Sequence, residues 1–214
     1  MPSSGVIIAL SMLVAVGCCA AEETPYEPDE NTVLLLHMDE GEGEVTADGS
    51  PSRLTVSLES PPRQPVWEEQ GKFGRCLHFD RDNADADGDG TGDADGLIFA
   101  DEGQLQVGEG LTVEAWIKPE RLVGAQGILT RVGGCRYNLF AQGAALYLSM
   151  SMIADGEPRW LQLRTGDVLR ANQWQHVAVT YDGAVARIFV NGREVASQRA
   201  TGQPTTGGTR SSIG

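Results

Sequence analysis

The chain has 214 residues, with 30 acidic and 16 basic side chains and a formal net charge of −14. That length suits one domain with a tail, and 41% hydrophobic residues with 27 glycines suit a turn-rich globular chain. So acidic a chain repels phosphate backbones and anionic membrane surfaces, which excludes nucleic acid as a partner. The acidity is local: residues 22–102 hold 22 acidic and 5 basic side chains, and residues 103–214 hold 8 and 11.

Residues 6–16, VIIALSMLVAV, are apolar and run into GCCAA and then Glu22 and Glu23. The run is too short to span a bilayer, and residues 1–21 read as a secretory signal peptide, although Met1 to Gly5 hold no Lys or Arg. No transmembrane helix is expected in the mature chain. Two cleavage points compete. Ala15-Val16-Gly17-Cys18 is similar to a bacterial lipobox, apart from Ala15 where Leu is usual, and would leave a lipid anchor on Cys18. Cleavage after Ala20 or Ala21 would leave Cys76 and Cys135 as the mature cysteines. They are then a candidate disulfide in an oxidising compartment, or two separate buried thiols. Both cleavage points place the protein outside the cytoplasm, secreted or on the cell surface (bacterial periplasm or outer surface).

Residues 22–31, EETPYEPDEN, are an acidic linker with two prolines. From residue 32 onward strand signals dominate. VLLLHM (33–38) is a short apolar run, and CLHF (76–79) follows a Gly-Lys-Phe-Gly turn. LTVEAWIK (111–118) alternates with period two. GILTRV (127–132), YNLFA (137–141), ALYLSM (145–150) and WLQLR (160–164) follow, separated by glycines and polar turns. HVAVTY (176–181) turns at Asp182-Gly183 into ARIFV (186–190), and Asn191-Gly192 is a type I′ hairpin signal leading into REVAS (193–197). No segment carries a capped helical stripe, so the fold class is all-β, a two-sheet antiparallel β-sandwich.

In order, LLLHMDEGEG, GKFGRCLHFD, LTVEAWIKP and ANQWQHVAVTYDGAVARIFVNGREVA resemble the laminin G-like, concanavalin A-like lectin jelly-roll family. The resemblance covers residues 32–214 and implies a secreted binding module for carbohydrate or an extracellular protein. Family members continue past the position of Ile213-Gly214 into a further strand beside the first one. Val33–Met38 is therefore expected at an open sheet edge, in a domain incomplete at its C-terminus. The alternative reading is the N-terminal binding domain of a larger secreted hydrolase.

The acidic loop 80–96, DRDNADADGDGTGDADG, is the sharpest chemical feature. Asp85, Asp87, Asp89 and Gly90 fall on positions 1, 3, 5 and 6 of an EF-hand calcium loop and Asp93 on position 9, but Gly96 stands where a bidentate Glu is usual. The run more closely resembles a thrombospondin type 3 repeat, with Asp95 in place of its cysteine. Carboxylates this close repel one another unless a cation neutralises them, so Asp85, Asp87, Asp89 and Asp93 are candidate Ca2+ ligands. The competing reading is an inserted solvated loop. Asp39, Glu40, Glu42 and Glu44, with Asp48 following, form a second acidic cluster; the resemblance implies a calcium site near this turn in some relatives, whose acidic partner strand is absent here, and the competing reading is a solvated turn.

Catalytic patterns are missing from the sequence. There is no G-x-S-x-G elbow, no phosphate loop and no E-x-D-x-x-E on a strand; Glu114 stands alone and reads as a surface residue. His37 and His78 are expected on neighbouring strands as a packed or surface pair, and His176 as framework. A sugar site needs an exposed aromatic platform. The candidates are Trp67, Tyr137, Tyr147, Trp160 and Tyr181, with Trp160 singled out at a loop-to-strand junction; Trp116 and Trp174 are expected in the core.

Overall fold

The computed structural model describes residues 24–80, 95–99, 110–132, 136–207 and 210–214, the main chain of residues 6–8, and singly Gly103, Leu105 and Gly108. Its strands are β1 (Val6–Ile8), β2 (Thr32–Leu34), β3 (Val45–Ala47), β4 (Thr55–Leu58), β5 (Val66–Glu68), β6 (Cys76–His78), β7 (Leu97–Phe99), β8 (Leu111–Ile117) and β9 (Ala125–Val132). They continue as β10 (Tyr137–Gln142), β11 (Ala145–Ala154), β12 (Glu157–Asp167), β13 (Gln175–Tyr181), β14 (Val185–Val190), β15 (Arg193–Arg199), β16 (Gln203–Pro204) and β17 (Arg210–Ile213). No helix occurs among the described residues, and so none long and apolar enough to cross a membrane.

Two large sheets face each other. One has six strands in the order β15-β14-β13-β8-β1-β2. The other runs β12-β11-β10-β9-β17-β7-β4-β3, with β16 beside β11; β5 and β6 form a separate hairpin. The all-β sandwich expected from the sequence is the fold observed. One apolar core fills the space between the sheets. Leu34, Leu111, Val113, Val177, Val179 and Ile188 enter it from the first sheet, and Val56, Leu97, Leu129, Leu139, Leu148, Met150 and Leu161 from the second. Alternation along β10, and along β11 from Leu146 to Met152, sends every second side chain into this core and leaves the others on the opposite face.

Turn chemistry fixes the C-terminal registers. Asn191 and Gly192 both take positive φ, 49° and 74°, as a type I′ turn requires, and join β14 to β15. Asp182 closes the preceding turn by accepting hydrogen bonds from the amides of Ala184 (3.0 Å) and Val185 (2.7 Å).

The N-terminal half departs from the sequence reading. The strand expected over 33–38 ends at Leu34; beyond it the chain turns to residues 48–49, with Leu36 bridging Asp48 and the Gly49 amide donating to the Leu35 carbonyl at 2.8 Å. Asp48 accepts the Leu35 amide at 3.0 Å, and Met38 has φ of 55°. β2 stands at the sheet edge with one strand partner among the described residues, while Leu36, within the span expected to be open, bridges Asp48. The strand partner of β2 is β1, which lies within the segment read as a leader and runs parallel to both β2 and β8. Asp48 itself is not solvated: it is buried and holds four donors. Nor does β6 adjoin β2; it pairs with β5, so His78 lies opposite Val66 and is not on a strand next to His37.

Candidate functional site

The outward face of β10, β11 and β12 gathers the polar and aromatic side chains that alternation leaves behind. The β10–β11 turn at Gly143 pairs Phe140 with Tyr147 and Asn138 with Ser149. The β11–β12 turn, with Asp155 and Gly156 both at positive φ, pairs Tyr147 with Arg164, Ser149 with Gln162 and Ser151 with Trp160. Directly opposed residues share a face, so Phe140, Tyr147 and Arg164 form one row, Asn138, Ser149 and Gln162 a second, and Ser151 and Trp160 a third. A bulge between Ala145 and Tyr147 ends the regular ladder just beyond the first row, where the Leu146 amide donates instead to the Thr165 hydroxyl at 2.9 Å.

The first two rows line a depression of about 460 Å³. The Phe140 and Tyr147 rings stack with centroids 4.9 Å apart and planes 15° from parallel. The Arg164 guanidinium carbon lies 5.3 Å from the Tyr147 centroid, within range of attraction to the ring face. Asn138 is tied at one end, its side-chain oxygen accepting the Arg131 amide at 3.1 Å. Trp160 is 56% exposed on the same face. None of the eight side chains in the three rows is a carboxylate.

Of the aromatic residues proposed from sequence, the structure brings together Tyr147 and Trp160. Tyr137 and Tyr181 are buried, the latter donating to the carbonyls of Ala200 and Gly202, and burial pushes its phenol pKa up. Trp67 is half-buried and donates to the Gly43 carbonyl. Phe140 and Arg164 were not singled out from the sequence, although counting back from the two turns pairs both with Tyr147.

A larger cleft of about 580 Å³ runs along β8 beside the β5–β6 hairpin. The β1 ladder stops at Val113, so the edge of β8 beyond it has no strand partner among the described residues. Core residues Leu36, Leu77, Val113, Leu129 and Leu169 form the cleft walls, which marks it as an opening into the sandwich layer. His78 sits in it with Nδ1 3.2 Å from Glu68 and 3.8 Å from Glu120. No group of three or more metal-ligating side chains is found among the described residues. Trp116 lies on the outer face of β8, not in the core, with the Lys72 ammonium 4.0 Å above its ring; Trp174 is half-buried at the cleft. Glu114 is enclosed on that outer face, 3.2 Å from Nε2 of buried His176, and is not a surface residue.

Cys76 is a free thiol in this structure, and burial together with the nearby Glu68 carboxylate pushes its pKa up. Cys135 lies outside the described residues, as do Cys18 and the candidate calcium ligands Asp85, Asp87, Asp89 and Asp93. The stems of the acidic loop are visible. The Asp80 amide donates to the Asp95 carboxylate at 2.8 Å and the Asp95 amide to the Asp80 carbonyl at 2.9 Å. The loop thus leaves and returns at one point.

The family model described as the concanavalin A-like lectin/glucanases superfamily matches residues 89–214. The chain belongs to this superfamily. No curated protein sequence matches it. Among solved structures the chain is similar to the binding domain of botulinum neurotoxin serotype C1 (TM-score 0.60, 12% identity, 85% of this chain and 42% of that one). It is also similar to a type C neurotoxin whose cell entry is described as dependent on interaction with two ganglioside molecules (0.59, 12%, 85% and 42%). A third is the neurotoxin DC binding domain in complex with rat synaptotagmin II (0.58, 12%, 85% and 43%). At these identities the likeness is one of fold, and the chain spans less than half the length of each neighbour. In superfamily terms, the three rows lie on the outward face of the larger sheet of the sandwich.

Proposed function

We propose that the chain is a non-catalytic binding module that holds carbohydrate on the outward face of β10–β12. The observation that carries this reading is the stacked Phe140–Tyr147 pair, half-exposed at the depression and bordered by Asn138, Ser149, Gln162 and Arg164. A sugar presents an apolar C–H face and a rim of hydroxyls. The rings offer area for the first, and the amide, hydroxyl and guanidinium groups offer directional partners for the second. Trp160 stands four residues further along the strands than Tyr147, about 13 Å at ~3.3 Å per residue. The face therefore suits a ligand longer than one ring. Neighbours of the same fold include a neurotoxin described with gangliosides and another in complex with a protein, so the fold also serves protein partners.

The rest of the reading follows the sequence. Residues 1–21 are removed on export, the module works outside the cytoplasm, and Ca2+ on Asp85, Asp87, Asp89 and Asp93 orders the loop whose stems are clamped at Asp80 and Asp95. A glycan array probed with the wild-type chain, Tyr147→Ala and Trp160→Ala tests the carbohydrate reading. Binding that falls at least tenfold in Tyr147→Ala is expected. A blank array for the folded wild-type chain, with and without calcium, ends the reading.

A further inference from the structure

We infer that the saccharide held on this face carries an oxyanion, a carboxylate or a sulfate ester, received by Arg164. This rests on the carbohydrate reading above and narrows its ligand class. Arg75, Arg121 and Arg187 each face an acid at 3.2, 2.9 and 2.7 Å respectively. Arg164 has no such partner among the described residues. Arg53, Arg159, Arg170, Arg193 and Arg199 also lack one, but Arg164 alone of these six is held against an aromatic ring beside a polar-lined depression. The ring limits the rotamers of a long side chain, so less entropy is lost when its planar fork closes on an anion. The surroundings agree in sign. In a chain of net charge −14, the row on the depression side of Arg164 (Asn138, Ser149 and Gln162) is neutral, the nearest acid in the pairing is Asp167 beyond the bulge, and residues 103–214 carry more basic than acidic side chains. A neutral sugar would use one or two of the five guanidinium donors; a carboxylate or sulfate takes two in parallel.

The test is calorimetric titration of the full chain with sialyllactose, sulfolactose and trigalacturonate. Lactose serves as the neutral counterpart of the first two, and fully methyl-esterified trigalacturonate of the third. At least one acidic member is expected to bind about tenfold more tightly than its counterpart, a gap that narrows with added salt. The first two acids separate carboxylate from sulfate as the preferred group. Arg164→Gln is expected to bring the pair within about twofold, while Tyr147→Ala weakens both members together. Equal binding of acidic and neutral members, or a preference that survives in Arg164→Gln, overturns the inference and leaves the platform standing. Absence of binding by every saccharide overturns the platform as well. Arg164 is exposed, and an unchanged urea midpoint for Arg164→Gln confirms that the variant is folded.

Discussion

Asp48 offers the most direct test of how the N-terminal half is held together. Its carboxylate is 4% exposed and accepts from the amides of Leu35 (3.0 Å), Ser50 (2.8 Å) and Leu54 (2.8 Å) and from the Ser50 hydroxyl (2.9 Å). Asp48→Ala strands all four donors. An orphaned buried donor costs about 1–3 kcal/mol, and the Ser50 hydroxyl can turn to another acceptor, so a net loss of about 3–5 kcal/mol is expected. Asp48→Asn keeps one acceptor oxygen but points an amino group at a remaining N–H, and should cost about 1–2 kcal/mol. In urea, with a slope of about 2 kcal/mol per molar, the alanine variant should unfold about 1.5–2.5 M earlier. A loss below about 1 kcal/mol for Asp48→Ala, or equal losses for the two variants, would refute the reasoning.

Three further outcomes are expected. The Asp182 carboxyl is lowered from 3.8 to about 2, chiefly by its hydrogen bond from Arg187, then by the Val185 and Ala184 amides. Its contribution to stability is therefore complete above the unfolded value near 3.8 and is lost as pH falls through about 2; an NMR titration with a midpoint near 3.8, or one unmoved upward by Arg187→Gln, counts against this. The Cys76 thiol, pushed up by burial and Glu68, should alkylate more slowly at neutral pH than a free cysteine and faster in Glu68→Gln, as read by peptide-resolved mass spectrometry; identical rates in the two proteins would contradict it. Calcium should bind with measurable heat at millimolar concentration and lose that heat in an Asp87→Ala/Asp89→Ala variant, whereas a silent titration of the wild type removes the metal from the proposal.

The parts of the fold legible in the sequence are those set by local turns. Asn191-Gly192 and Asp182-Gly183 announce β13, β14 and β15, and the apolar alternation between the turns supplies the inward faces. The binding face was half legible. Trp160 could be named as an exposed aromatic and Tyr147 as one of five candidates, but Phe140 and Arg164 acquire meaning only from the registers that the Gly143 and Asp155-Gly156 turns impose. The first half was opaque because its order comes from distant pairings. β4 pairs with β7, β17 inserts between β7 and β9, and the expected strand at 33–38 gives way after Leu34 to pairing with residues 48–49, thirteen residues away. An acidic cluster read by charge alone looks solvated. Asp48 differs from Glu42 and Glu44 in the donors folded around it, which no local pattern reveals.

The position of β1 has a consequence for handling the protein. It forms the seam joining β2 to the rest of its sheet, and it belongs to the stretch proposed to be excised on export. Precursor and processed chain are then two materials with different edges. Because β2 and β8 run in the same sense, a polypeptide laid between them in the opposite sense would be antiparallel to both, as β13, β14 and β15 are to their neighbours. Were residues 1–21 excised as proposed, β2 and β8 would lose the strand between them, and a melting temperature measured on the full chain would include cohesion that the shortened chain would have to draw from elsewhere.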